Sequence, residues 1–150
     1  MKTLFSLTTM TKRLDDMAEG YNRVANARLA LYKRLDQFTR AYLECALWSS
    51  MDESDDSGGN PMDDNYSIED IAPETIDHAI EECKRFQAQA AGMIESDPSR
   101  AGHDFWLTRN GHGAGFWDGD WPEDGDKLTE LSKAFGETYL YVGDDGRIYN

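Results

Sequence analysis

Apolar residues from Leu14 onward recur at steps of three and four: Leu14, Met17, Tyr21, Val24, then Leu31, Leu35, Phe38, Tyr42 and Cys45, with Arg28 in the slot between. A repeat of this kind lays its residues along one seam of an α-helix, and at 1.5 Å rise per residue about 32 residues would extend roughly 48 Å. Such a helix outruns the diameter of a small domain. Leu43, Ala46, Leu47 and Trp48 widen the seam into a face suited to a globular core, whereas the earlier residues keep the narrow stripe of helix pairing. The pattern predicts a basic helical extension over residues 1–40. Its seam is available to a homodimer, to another helical partner, or to its own domain, with Gly20 and Arg28 as interruptions.

A second helical pattern runs through Ile71, Ile76, Ala79, Ile80, Cys83, Phe86, Ala90 and Met93. Pro73 suits the first turn of that helix, Ser67 with Asp70 resembles a capping box, and Asp97-Pro98 ends it. From His103 the pattern changes. Asn110-Gly111 supplies the two φ > 0 positions of a type I′ turn between aromatic-rich flanks, which predicts a β-hairpin over His103–Asp118. Its register sets Arg109 against His112, Leu107 against Ala114, Phe105 against Phe116 and His103 against Asp118. The other side carries Thr108/Gly113, Trp106/Gly115 and Asp104/Trp117. The Phe105, Leu107, Ala114, Phe116 side is the core face. The side on which Trp106 lies across Gly115 beside Trp117 is either a recognition surface or a second core layer.

Pro122 to Phe135 reads as a short helix with Leu128, Leu131, Ala134 and Phe135 inward and Gly136 as its stop; Thr138–Val142, a Gly143–Gly146 turn and Arg147–Tyr149 read as a second hairpin. The fold class expected is α+β: a long N-terminal helix and a second helix packed on a small antiparallel sheet of two β-hairpins, with a short helix between them. Residues 41–150 form the α+β domain.

Charge separates the two parts. Residues 1–50 hold eight Lys/Arg against five Asp/Glu, a balance of +3, and residues 51–150 hold seven against twenty-four, a balance of −17. A surface of that sign repels phosphate backbones, so direct nucleic-acid binding by the acidic body is disfavoured and a protein with a basic surface is the natural partner; the same charge also serves plain solubility. Cys45 and Cys83 follow no metal or redox spacing and fit buried free thiols. The opening Met1–Leu7 gathers no h-region of secretory length, and no run approaches the roughly 20 apolar residues of a membrane span, which points to a soluble cytoplasmic protein with no membrane partner.

Ser49–Ser67 reads as an acidic loop carrying Asp52, Glu53, Asp55, Asp56, Asp63 and Asp64. It fails the EF-hand spacing, since Ser57 stands where glycine is needed and no glutamate closes the loop. Asp118–Asp126 fails likewise at Pro122 and Glu123. No phosphate loop, nucleophile elbow or metal-ligand pair occurs, so no cofactor, metal or catalytic residue is assigned. His103 facing Asp118, with Asp104 adjacent, is the one acid/base constellation. The candidate binding surface is Asp104, Trp106, Trp117, Asp118 and Asp120, together with Asp52, Glu53, Asp55 and Asp56.

Ala46-Leu47-Trp48-Ser49-Ser50 with Asp52-Glu53-Ser54, Asn65-Tyr66-Ser67, Asp70-Ile71-Ala72-Pro73-Glu74, the run from Ala101 to Asp118 (AGHDFWLTRNGHGAGFWD) and Leu140-Tyr141-Val142-Gly143-Asp144-Asp145-Gly146 carry a resemblance. In these segments residues 41–150 resemble a widespread family of small, functionally uncharacterised proteins of tailed bacteriophages and prophages. The resemblance implies a phage origin, an accessory role in infection and residence in the infected bacterial cell; it supplies no catalytic residues and leaves out residues 1–40. Two functions follow. The first is an acidic accessory protein that binds and modulates a host protein with a basic surface, in the manner of a DNA mimic acting on a restriction, CRISPR or transcription component. The second is a small enzyme or nucleotide- or peptide-binding module using His103, Asp104, Asp118 and the Trp106/Trp117 face.

Overall fold

The computed structural model describes residues 2–150, with side chains from Leu7 onward; the expectation about the opening segment lies largely outside the described residues. The chain divides into two units, residues 1–34 and 35–150. The first is a single helix, α1 (Lys2–Arg34). The second contains α2 (Gln37–Ser49), α3 (Pro73–Gln89), α4 (Pro98–Arg109) and α5 (Gly125–Lys133), with two antiparallel strand pairs, β1 (Met51–Asp52) with β2 (Asn60–Pro61) and β3 (Tyr141–Val142) with β4 (Ile148–Tyr149). It is an α+β fold with a long N-terminal helix, and none of the described helices is long and apolar enough to cross a membrane.

The seam expected to continue through Cys45 is cut at Leu35-Asp36. Asp36 starts a new helix by accepting a hydrogen bond from Thr39 N–H at 2.7 Å, so an N-cap replaces the continuous ladder. Beyond that cut the apolar positions of α2 change character: Phe38, Tyr42, Leu43, Cys45, Ala46 and Leu47 are all buried. α3 follows its pattern, with Pro73 in the first turn and Ile76, Ala79, Cys83 and Phe86 inward. The Ser67–Asp70 capping box is present, closing a 3₁₀ turn over Ile68–Asp70 just before α3. Ile71 lies outside the helix and bridges to Ile148; with Ala72 N–H donating to the Ile148 carbonyl at 2.8 Å, this ties the C-terminal hairpin to the start of α3.

The hairpin expected over His103–Asp118 does not form. Asp97, expected only to end the preceding helix, starts another: its carboxylate accepts from Arg100 N–H at 3.1 Å, and Pro98 occupies the first turn. Asn110-Gly111 closes that helix. Gly111 has φ +69, its N–H donates to the Thr108 carbonyl, and His112 N–H donates to the Leu107 carbonyl, the paired bonds of a Schellman cap. Residues 98–109 are helical and residues 112–118 follow as turns and bends, so the cross-strand pairs expected here do not form. Gly115 sits against Thr108 rather than beneath Trp106. The Ser49–Ser67 stretch is likewise more ordered than a loop, since Met51 pairs with Pro61 and Asp52 with Asn60.

α4 packs directly on α2. A Cβ on Gly102 would fall 2.0 Å from the Phe38 carbonyl oxygen, so the two backbones touch there. Around that contact Phe38, Phe86, Phe105 and Phe116 are fully buried, with the Phe86 and Phe105 rings stacked at 4.1 Å. Arg109, at the end of α4, is buried too. Its guanidinium donates to Glu82 of α3, to the Tyr42 hydroxyl at 3.0 Å and to the carbonyls of Phe135 and Gly136 at 3.1 and 2.8 Å. One side chain thus joins α2, α3, α4 and the segment after α5.

Candidate functional site

Between α2 and the N-terminal half of α4 lies a cleft of about 680 Å³. Helical spacing builds its walls. Ala41, Glu44, Cys45 and Trp48 form one stripe of α2; Asp97, Arg100 and Asp104, with Ser99 and His103 beside them, form a stripe of α4 and its cap. The segment after α4 adds Ala114, Asp118 and Asp120, and Asp63 comes from a 3₁₀ turn over Met62–Asp64. Six carboxylates thus line the cleft.

Trp48 is exposed, its ring tilted 31° to the His103 imidazole with centroids 6.0 Å apart. The sole guanidinium of the lining is already engaged, as Arg100 donates to Asp120 at 2.7 Å and stands 3.5 Å from Asp97. Across that ion pair a second hollow of about 270 Å³ continues the acidic lining with Glu123 and Asp124.

Asp104 is buried at the floor. Its Oδ2 accepts from the Trp121 indole N–H at 2.7 Å, and its Oδ1 is 3.5 Å from His103 Nδ1. Burial pushes its carboxyl above the ordinary range, against the opposing hydrogen bonds from Trp121 and His103. Burial, with a smaller contribution from the Asp104 charge, pushes the Cys45 thiol up to about 12 and makes it a poor nucleophile. Among the described residues no three His, Cys, Asp or Glu side chains are placed to hold a metal ion.

Asp104, Asp118 and Asp120 of the expected surface meet in this cleft, together with His103. Trp106 does not. It is buried edge-on against Tyr42 at 5.2 Å, and its indole N–H donates to Ser49 Oγ at 2.7 Å. Trp117 is exposed outside the cleft lining, so the expected Trp106/Trp117 face does not exist. Asp52, Glu53, Asp55 and Asp56 lie in and after β1, away from the cleft lining, where Asp52 and Asp55 accept from the Ser54 and Ser57 N–H groups. Glu44, Trp48, Asp63, Asp97 and Arg100 were missed by the sequence reading. For Glu44 and Trp48 the signal was the step 41/44/45/48 on α2, and for Asp97 and Arg100 the step 97/100/104, legible only once 98–109 is helical; Asp63, in a 3₁₀ turn, carried no such signal.

No family model, no curated protein and no solved structure matches this chain. The cleft is therefore interpreted from its own chemistry.

Proposed function

We propose that the protein is an acidic, non-enzymatic binding protein whose cleft receives a basic side chain of a partner protein. The observation that carries this reading is the lining itself: six carboxylates around an exposed tryptophan, with the one guanidinium already paired. A partner arginine or lysine would lay its cation over the Trp48 ring and reach the carboxylates beyond, combining a cation–π contact with charge-assisted hydrogen bonds. The unit spanning residues 35–150 holds eight Lys/Arg against twenty-six Asp/Glu, a balance of −18, which steers basic partners toward it. Taken with the resemblance of residues 41–150 to phage proteins, this charge favours a host partner whose basic surface ordinarily holds nucleic acid, such as a restriction, CRISPR or transcription component, and an action in the infected bacterial cell.

Calorimetric titration of the full chain with an arginine-rich peptide tests the cleft. Saturable binding that weakens steeply with salt, and by about tenfold when Asp63 and Asp118 become Asn, is expected. Affinity untouched by salt or by those substitutions would reject the reading. Capture from host lysate should recover a nucleic-acid-acting protein that high salt releases.

The Trp121–Asp104–His103 arrangement favours a second reading, because a half-exposed imidazole beside a buried carboxylate is how a general base is oriented. In that reading the cleft binds a nucleotide or peptide substrate. A ligand at 100 times its Kd would stabilise the protein by about 2.7 kcal/mol, and a thermal-shift screen without any such response would dismiss it.

A further inference from the structure

Arg100 stands between two hollows. It lines the cleft and the second hollow of about 270 Å³ alike, as do its partners Asp97 and Asp120, so one ion-paired group forms the partition. That partition is weakly held. The side chains of Arg100, Asp97 and Asp120 are each about half exposed, and ion pairs in that setting contribute little to stability. The two carboxylates, by contrast, do not depend on the Arg100 side chain for their positions. Asp97 is fixed as the N-cap of α4 by the backbone N–H of residue 100, and Asp120 precedes Trp121, which is buried, edge-on to Phe116 at 5.6 Å and bonded to Asp104 at 2.7 Å. A seat for a guanidinium therefore survives when the Arg100 side chain swings out.

Beyond the partition the second hollow is anionic without a further cation. Glu123 and Asp124 join its lining, neither is held in an ion pair among the described residues, and Asp124, although it is the N-cap of α5, makes no side-chain hydrogen bond to that helix. Met93, Trp121 and Pro122 add apolar wall, which suits the methylene stem of a long basic side chain whose charged head meets the carboxylates. Each hollow thus fits one such side chain. Resting on the reading of the cleft as the receptor of a basic side chain, we propose that the partner segment carries two of them: one enters the cleft over Trp48, and the second enters the hollow at Glu123 and Asp124, displacing Arg100 from Asp97 and Asp120. Placing both cations on one segment makes the second contact intramolecular, so affinity depends on their spacing.

Calorimetric titration of the full chain with peptides holding either one arginine or two arginines, the latter separated by one to about six glycines, tests this. At one preferred spacing the two-arginine peptide should bind at least about tenfold more tightly than the one-arginine peptide. Glu123→Gln with Asp124→Asn should abolish that gain and leave the one-arginine peptide unchanged. Arg100→Gln should tighten the two-arginine peptide more than the one-arginine peptide, whereas Arg147→Gln, which removes the same charge from the C-terminal hairpin, should not discriminate between them. A gain that ignores spacing, or that survives loss of the Glu123 and Asp124 charges, overturns the proposal. So does an Arg100→Gln response no different from that of Arg147→Gln. In each of those cases the one-arginine peptide still binds through Asp63 and Asp118 and the cleft reading stands; if that peptide fails to bind at all, the cleft reading falls and the two-cation proposal with it.

Discussion

Arg109 shows how much one residue can hold. With Glu82, Tyr42 and two backbone carbonyls around its guanidinium, it is fully engaged, and truncating it strands the Glu82 carboxylate in the interior. Arg109→Ala should therefore destabilise the fold by about 3–5 kcal/mol in denaturant titration, and a loss below about 1 kcal/mol would show that Glu82 finds water instead. Asp104 makes a prediction of opposite sign. Its carboxyl is raised above the ordinary 3.8, so it binds its proton more tightly in the folded protein. Its contribution to stability is most favourable below that ordinary value and is lost as pH rises through the native one. Asp104→Asn, which keeps an acceptor for Trp121, should gain stability relative to the natural chain as pH rises from about 4 to about 7. A relative loss would mean that the Trp121 and His103 contacts outweigh burial. At this scale the cysteines were legible, and both are free and buried. Arg109 was not, because its role depends on Glu82, Tyr42 and the 135–136 segment, which are distant in sequence and come together only in the folded chain.

At the scale of elements, α4 is the instructive case. Two glycines, Gly102 within it and Gly111 just past its end, are needed for different reasons. Gly102 gives way to the Phe38 carbonyl, so Gly102→Ala must part α2 from α4 and should cost about 2–3 kcal/mol or more. Gly111 has open space where a Cβ would go and needs only its positive φ, so Gly111→Ala should cost about 1 kcal/mol. Thermal melts of the two variants should rank in that order; equal losses would contradict the close approach of the two helices. The same helix explains why the hairpin was expected. Gly111 with φ > 0 serves a type I′ turn and a Schellman cap alike, so Asn110-Gly111 alone does not choose between them. Nor did periodicity decide, since every residue from Asp104 to Arg109 is buried and a helix covered all round has no polar stripe to mark its turns. α3, with one face outward, was legible to within a few residues; α5 forms as Gly125–Lys133, shorter than expected and with Ala134 exposed, and the C-terminal hairpin forms with Tyr141–Val142 as its first strand in place of Thr138–Val142.

The whole molecule is partitioned by charge as well as by fold. α1 carries seven Lys/Arg against three Asp/Glu, while residues 35–150 carry the −18 balance. That contrast was visible in the sequence, as was the α+β class. The cleft was only half visible: three of its aspartates, Asp104, Asp118 and Asp120, were picked out, but Asp63 and Asp97 were not, and the tryptophan beside them was taken to be Trp106, which is core, instead of Trp48. The central claim is that this cleft takes up a basic side chain, and amide and indole chemical-shift mapping of the full chain with an arginine-rich peptide tests it most directly. The account predicts saturable shifts concentrated at the Trp48 indole, His103, Asp63 and Asp118, fading as salt is added. Shifts spread evenly over the acidic surface, or confined to the Asp52–Asp56 segment with Trp48 unmoved, would contradict it.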